Sequence, residues 1–185
     1  AGDFAVRNNH QTVVETLVSA GVAAELVFGQ LARNTPVAAP RNAEYLASKA
    51  EYVNDGKTLL PTGANDAVMM EWERPLMEAH VRALCPQPNL RVLNIGFGLG
   101  IVDTFFQTLA APAMHTIVEP HPDVLRHMQE TGWLAKPNVR VVQSRWQDAD
   151  LASLGPFDAF FFDSFGEFIE DLREFHAMLP RILSR

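Results

Sequence analysis

The feature that most constrains the fold is a regular alternation of short apolar runs and amphipathic stretches, which begins after Pro88. The apolar, β-rich runs are predicted as strands, and the stretches between them have helical periodicity. Strands that alternate with helices form parallel βαβ units with right-handed crossovers, so the pattern predicts a doubly wound α/β domain. The predicted strands are Arg91–Ile95, His115–Val118, Val139–Gln143 and Phe157–Phe162, and the predicted helices are Val102–Leu109, Asp123–Gln129 and Asp171–Leu183.

The residues before this domain have the pattern of a separate helical unit. Residues 8–33 place apolar side chains on one helical face, pause at a glycine and then resume, which predicts a helical hairpin within residues 1–33. Two prolines among small residues mark 34–41 as a linker. The α/β domain is therefore predicted to occupy residues 42–185.

The chain ends soon after the last predicted helix, at Arg185. A doubly wound sheet normally continues with further strands after such a helix. We therefore expect a C-terminal truncation that leaves an exposed sheet edge.

Between the linker and the first predicted strand the pattern is weaker. Residues 44–66 have little periodicity and carry the turn signals Asn54-Asp55-Gly56 and Pro61-Thr62-Gly63, which predict a segment that wraps a surface. The segment Val68–Leu84 returns to a helical pattern.

Composition narrows the classes of partner and compartment. The formal net charge of −7 argues against a general nucleic-acid binder, because neutralising phosphates requires a basic face, and it favours a cationic or neutral partner. Cys85 is the only cysteine, so the sequence predicts no internal disulfide and no cysteine-based metal site. No apolar run reaches the roughly 20 residues that cross a bilayer. We expect a cytoplasmic protein that also enters the nucleus.

A glycine-rich turn follows the first predicted strand and is a candidate for ligand binding. Glycines at such a turn let a ligand approach the backbone, although a tight strand-to-helix turn also explains them without a ligand. Ile101 stands where a dinucleotide fingerprint has its third glycine. Glu119 ends the next strand about 20 residues on, where a carboxylate can accept hydrogen bonds from the hydroxyl groups of a ribose. The turn and this acid together predict a nucleoside site. The candidate residues of the turn are Gly96, Phe97, Gly98, Leu99, Gly100 and Ile101.

Other polar residues near the predicted crevice have two interpretations each. Asp163 ends the fourth strand at the crevice rim, or it caps the following turn. Asp103 contacts the ligand, or it is an acid that the dipole favours in a first helical turn. His121 lies close to the nucleoside site, but a loop histidine with no nucleophile to pair with is the simpler explanation.

Apolar and acidic residues elsewhere leave similar choices. Trp146 packs beside an adenine or anchors a loop. The methionines at 69, 70 and 77 would fill a core at helical spacing unless they line a site. Glu71 and Glu73 are two residues apart, so on a helix at most one of them faces a given site.

These residues together resemble a known family. The segment Val68–Met77, which reads VMMEWERPLM, together with Asn94–Asp103, Glu119 and Phe162-Asp163, is similar to guanidinoacetate methyltransferases and, more closely, to the fungal type IV (δ-N) protein arginine methyltransferases. The resemblance covers roughly residues 42–183. Within 8–31, the hairpin resembles the helical pair of an ankyrin repeat, and since such repeats stack, we expect an N-terminal truncation as well.

The resemblance implies a Rossmann-like class I fold that binds S-adenosylmethionine, with no metal. It implies that the glycine turn surrounds the methionine part of the cofactor and that Glu119 holds the ribose. Glu73 and Asp163 would grip the guanidinium of the acceptor as the catalytic pair. The cofactor-binding residues so implied outside the turn are Met69, Met77, Glu119, Arg145, Trp146 and Asp163, and we add His121.

The implied reaction is methyl transfer to the δ nitrogen of an arginine in a protein. The ankyrin-like hairpin favours a protein substrate, contacted partly through that hairpin, over guanidinoacetate. Two alternatives stay open: a methyltransferase of a small guanidino compound, and a catalytically inactive ankyrin-type interaction protein.

Overall fold

The computed structural model describes residues 42–62, 67–165 and 169–184, with backbone alone for 169–172. The predicted helical hairpin within 1–33 and the predicted linker at 34–41 lie outside the described residues. All elements below belong to the part of the chain predicted as the α/β domain.

The described residues form a parallel sheet of the four strands β4 (Arg91–Ile95), β5 (Met114–Val118), β6 (Val139–Val142) and β7 (Ala159–Phe162). Their order in the sheet is β6-β5-β4-β7. Its strands match the four predicted apolar runs within a few residues, which confirms the α/β class. In the register, Asn94 of β4 pairs with Ile117 of β5 and with Phe161 of β7.

Helices connect the parallel strands, as the alternating pattern predicts. The helix after β4 begins at Ile101 and changes to π-helical geometry over Phe106–Ala110. The helix after β5 begins at Pro122, where proline fits because the first helical N–H needs no partner. The helices of this half are α3 (Ile101–Phe105), α4 (Pro122–Glu130), α5 (Leu151–Leu154) and α6 (Ile169–Ile182).

A second, antiparallel sheet precedes the parallel one. Helix α1 (Asn42–Ala47) leads into β1 (Ala50–Val53), β2 (Thr58–Pro61) and the two-residue β3 (Met69–Met70). The predicted turn at Asn54-Asp55-Gly56 joins β1 to β2, with all three residues at positive φ. Residues 42–62 and 67–70 are called the cover below.

The cover corrects the prediction that residues 44–66 only wrap a surface. Leu59 is fully buried and Tyr45 nearly so, in a cluster that includes Ile117 of β5 and Val124 of α4. Periodicity did not reveal this because each strand is only four residues long and receives its buried contacts from distant parts of the chain.

The segment Val68–Leu84 is also not helical throughout. It starts as β3, passes through a 3-10 turn at Glu71–Glu73, and becomes α2 (Arg74–Leu84) only afterwards. Pro75 favours this late start, since proline is tolerated in the first helical turn but not farther inside. Met77 and Val81 on α2 are buried against Val102 and Phe106. In the described part of the chain, no helix is both long and apolar enough to span a membrane.

Candidate functional site

A cavity of about 190 Å³ opens at the carboxyl ends of β4, β5 and β7. The chain leaves β4 to form β5 on one side and later returns to form β7 on the other. Such a switch in strand order is where open α/β sheets bind ligands. The predicted site residues among those that line the cavity are Met69, Gly96, Gly98, Glu119, Arg145, Trp146 and Asp163.

The glycine turn is shaped by close contacts on both of its sides. Gly96 has φ of 91°, and a Cβ there would lie 2.2 Å from the carbonyl oxygen of Asp163, so only glycine fits. The carbonyl of Gly98 accepts a hydrogen bond of 2.9 Å from the Tyr52 hydroxyl. The Met69 sulfur lies 3.3 Å from the backbone nitrogen of Leu99 and accepts a hydrogen bond from its N–H. The cover and the end of β7 thus fix the turn together.

Glu119 is 4% exposed, and backbone groups hold its carboxylate. Oε2 accepts a hydrogen bond from the Phe97 N–H, and Oε1 accepts one from the His121 N–H, both at 2.8 Å. Burial raises the pKa of Glu119 to about 7, although these backbone hydrogen bonds oppose the shift. The carboxylate lines the cavity with acceptor capacity remaining, which suits a pair of vicinal hydroxyls.

Asp163 and Glu73 bring a second concentration of negative charge to the site. Asp163 retains solvent access through the cavity, yet desolvation by the surrounding protein raises its pKa to about 6. The like charges of Glu73 and Asp103 add to this increase. Glu73 is therefore close enough to act on Asp163, although it is not among the residues that line the cavity. Two neighbouring carboxylates favour a cationic ligand.

The 3-10 turn that carries Glu71 and Glu73 gives the two glutamates different partners. The Glu73 side chain turns back along the chain, and its Oε1 accepts the Met70 N–H at 2.8 Å. Glu71 instead forms a two-pronged ion pair with Arg74, at 2.5 and 3.1 Å. Between them Trp72 is 70% exposed, an unusual state for so large an apolar side chain.

Some predicted residues lie beneath the cavity instead of on its wall. Phe97 and Ile101 are buried in the core, so only their backbone groups can reach a ligand. Met77 is buried on α2 within the cluster around Val102. His121 is fully buried, and its Nδ1 accepts the Asp123 N–H at the start of α4. Leu99 and Gly100 also lie outside the lining set.

Trp146 is placed so that both of the interpretations that the sequence left open stay possible. It lines the cavity, and it is only 2% exposed because it packs against Phe162 and Phe175. Arg145 beside it is exposed at the cavity rim. The cofactor contacts of both residues stay predictions.

The cover contributes lining residues that the sequence did not suggest. Tyr45 and Asn42 line the cavity, and the Asn42 amide donates to the carbonyl of Phe165 at 2.9 Å. The Tyr45 ring packs against His121 and Phe165, with centroids 4.6 and 5.0 Å away. A tyrosine in a weakly periodic segment gives no sign of such distant partners. Its only hint was the aromatic character of the residue in an otherwise polar stretch.

The groups that line the cavity suit a nucleoside. Among the described residues no group of three or more His, Cys, Asp or Glu side chains has metal-binding geometry. The cavity offers the apolar surface of Trp146 to a flat heterocycle and the carboxylate of Glu119 to a ribose. The side-chain-free backbone at Gly96 and Gly98 leaves room for an amino-acid tail.

Comparison with known proteins relates the chain to a family of methyltransferases. The model of the guanidinoacetate N-methyltransferase family matches residues 11–177. A protein arginine N-methyltransferase 2 from Yarrowia lipolytica is 42% identical over 83% of this chain and 34% of its own length. Another protein of that name, from Aspergillus fumigatus, is 44% identical over 74% of this chain and 32% of its own. The chain thus spans about a third of the length of these curated relatives.

A solved structure adds evidence on the fold alone. A spermidine synthase in complex with the transition state analogue AdoDATO superposes with a TM-score of 0.52 at 19% identity. The match covers 69% of this chain and 45% of the synthase. It supports a Rossmann-like arrangement of the parallel sheet.

Proposed function

This chain belongs to the guanidinoacetate N-methyltransferase family, and from that premise we propose that it is the catalytic part of an S-adenosylmethionine-dependent protein arginine methyltransferase. The observation that carries the proposal is the meeting of Glu119 and Asp163 in one cavity, with Glu73 close by. One carboxylate suits a ribose, and the other two suit a guanidinium.

The cofactor side of the site consists of backbone and one acid. Gly96 and Gly98 would hold the methionine arm, Glu119 the ribose hydroxyls, and Trp146 with Arg145 the adenine. S-adenosylmethionine supplies a methyl group activated by its sulfonium. The chain's task is then to hold an acceptor nitrogen in line behind that methyl group.

The part of the site that binds the acceptor explains how a guanidinium, which is a poor nucleophile, can receive the methyl group. Glu73 and Asp163 bind the guanidinium by charge-assisted hydrogen bonds, which orient the accepting nitrogen and concentrate positive charge on the other two. The nitrogen loses a proton when the new C–N bond forms. Asp163 is suited to receive it at a carboxylate oxygen, because a pKa of about 6 leaves it ionised at neutral pH.

Replacement of these two carboxylates tests their assignment. Glu73→Gln and Asp163→Asn are expected to lower turnover by about a hundredfold or more, and to lower the affinity for S-adenosylhomocysteine far less. Glu71→Gln is the matched control, because Glu71 sits on the same turn but is paired with Arg74. Full activity in either site variant would remove the acidic pair from the mechanism.

The substrate class rests on weaker support and needs its own experiment. The arginine methyltransferase relatives support a protein substrate. Methylation at the δ nitrogen, and recognition partly through residues 1–33, rest on the family and ankyrin-repeat resemblances of the sequence. The chain is incubated with labelled S-adenosylmethionine and either cell protein or guanidinoacetate, and fragmentation of the product arginine by mass spectrometry locates the methyl group. Label in guanidinoacetate alone would favour the small-molecule alternative.

The inactive-module alternative predicts no cofactor binding. Calorimetry with S-adenosylhomocysteine separates the two cases, because a functional Glu119 site binds it and a degenerate one does not. Glu119→Ala serves as the control that abolishes specific binding.

A further inference from the structure

The peptide unit between Gly96 and Phe97 is held on both of its sides. The carbonyl of Gly96 accepts from the Asn94 side-chain nitrogen Nδ2 at 2.8 Å. The N–H of Phe97 donates to Glu119 Oε2, also at 2.8 Å. In a trans peptide these two groups point in opposite directions, so the unit acts as a rigid plate between Asn94 and Glu119.

A buried carboxylate stands behind Asn94. Asn94 Nδ2 also donates to Asp103 Oδ1 at 2.8 Å, and both side chains are fully buried. His115 Nε2 lies 3.1 Å from the same oxygen without the direction of a good hydrogen bond, and Gln107 contacts His115 Nδ1 at 3.2 Å. Within the described residues, Asp103 Oδ2 has no hydrogen-bond partner.

The dipole of a helix does not account for this arrangement. It favours an acid in the first turn of a helix, but an exposed acid would serve, whereas Asp103 is completely removed from water. Burying a carboxylate is costly unless specific partners compensate it. A leucine or alanine would fill this core position without that cost.

Asp103 has one property that Asn94 needs. An asparagine amide can turn over and present oxygen where nitrogen was, but Asp103 Oδ1 accepts a hydrogen bond and so selects the nitrogen of that amide. Asp103 therefore fixes the nitrogen of Asn94 toward itself and toward the Gly96 carbonyl. With the plate so oriented, the Phe97 N–H points at Glu119, whose other oxygen is held by the His121 N–H.

We propose that Asn94 and Asp103 are positioning residues for Glu119, which act through the Gly96–Phe97 peptide to fix the carboxylate that binds the cofactor ribose. The inference rests on the proposed function for the identity of the ligand. Neither residue lines the cavity, so neither touches the ligand, and Asn94 acts through the Gly96–Phe97 peptide. Asp103 acts through Asn94 and, in addition, through its charge on Glu119.

A double-mutant cycle tests this coupling with S-adenosylhomocysteine as the probe in calorimetry. Asp103→Asn keeps the shape but lets the amide of Asn94 turn, and it should weaken binding about tenfold, the size of one charge-assisted hydrogen bond. In a Glu119→Gln background the same change should weaken binding less than about twofold, because the group it positions has already been altered.

The matched control is Thr116→Val, an isosteric change at a fully buried neighbour of His115 on β5. It should leave the affinity of the chain for the probe unchanged. Equal losses from Asp103→Asn in both backgrounds would indicate general damage to the core and would overturn the proposal, as would an unchanged affinity in the single variant.

Amide hydrogen exchange measured by NMR provides a test that needs no ligand. Asp103→Asn and Asn94→Ala should each raise the exchange rate of the Phe97 amide about tenfold, while the Ile117 amide in the middle of β5 keeps its protection and shows that the variants are folded. Unchanged exchange at Phe97 would overturn the positioning role. If the unaltered chain does not bind S-adenosylhomocysteine, the proposed function fails. The exchange rate of the Phe97 amide still decides whether Asn94 and Asp103 fix the Gly96–Phe97 peptide.

Discussion

The two sheets contribute to the cavity in opposite ways. The parallel sheet places its site residues directly after strands, so that the glycine turn, Glu119 and Asp163 meet wherever such a sheet forms. The cover places Tyr45 and Met69 at the same cavity and Tyr52 against the Gly98 carbonyl, through contacts between distant parts of the chain. One contribution follows from topology and the other from packing.

This difference teaches where function depends on local sequence. The turn after β4 requires glycine because of its own backbone and the nearby carbonyl of Asp163. Tyr52 has no local requirement, and its hydroxyl matters only because Gly98 lies opposite. Substitutions in the parallel sheet should therefore affect ligand binding most, and those in the cover should affect stability first.

The largest effect is expected from Gly96→Ala in the parallel half. A Cβ 2.2 Å from the Asp163 carbonyl cannot be accommodated without moving the turn or β7, so binding of S-adenosylhomocysteine should be lost. Gly132→Ala is the control, since it has positive φ but no atom within 4 Å of the added Cβ, and it should cost only about 1 kcal/mol. Calorimetry and urea unfolding measure the two effects. Similar losses of stability and binding in both variants would show that strain, not the Asp163 contact, governs the turn.

Next in size is Leu59→Ala in the cover. The side chain is completely buried, so its truncation should lower the free energy of unfolding by about 3 kcal/mol. Leu60→Ala, at a half-buried position of the same strand, should cost about 1 kcal/mol. Urea denaturation compares them. A loss below 1 kcal/mol for Leu59→Ala would mean that the cover is an attachment and not part of the core.

A smaller effect concerns the pH dependence of Glu119 in the parallel half. Its folded-state pKa of about 7 exceeds the ordinary value of 4.5, so its contribution to stability is greatest below about pH 4.5 and declines as pH rises through 7. Affinity for the ribose should change in the opposite sense, with a gain of up to about tenfold from pH 6 to pH 8 as the carboxylate ionises. Calorimetry across this range, repeated with Glu119→Gln, which should show no such gain, makes the measurement.

The smallest effect is expected from Tyr52→Phe in the cover. It removes one hydrogen bond to the Gly98 carbonyl, worth about 1 kcal/mol, while the ring keeps its stacking on His127 at 3.8 Å. Affinity for S-adenosylhomocysteine should fall about fivefold. A larger loss of affinity than of stability would place the cover's contribution in ligand binding and would narrow the contrast between the two sheets.

How much could be predicted from sequence follows the same division. The four parallel strands and the position of Glu119 came from periodicity and spacing, because those signals lie within a strand and its following turn. The pairing of Glu73 with Asp163 came only from family resemblance. The two residues are 90 positions apart in the chain, and no local pattern joins them.

The remaining errors have a common physical origin. Residues 44–66 were expected on a surface because strands of four residues are too short to show alternation, and burial there comes from α4 and β5. Met69 was expected on a helix, but pairing with Leu59 makes it a strand residue. Asp103 does lie in the first turn of α3, as one of its two interpretations required, but the sequence does not show that Asn94 and His115 face it.

The exposure of Trp72 gives the protein an optical property. The chain has three tryptophans, of which Trp133 and Trp146 are buried at 8% and 2% exposure, whereas Trp72 is 70% exposed. A hydrated indole emits at longer wavelength than one enclosed in a core, so the red edge of the emission spectrum belongs mainly to Trp72. Because Glu73 is its neighbour in the chain, an acceptor that docks at the acidic pair should change that red-edge fluorescence, and the unlabelled protein can thus report its own acceptor binding.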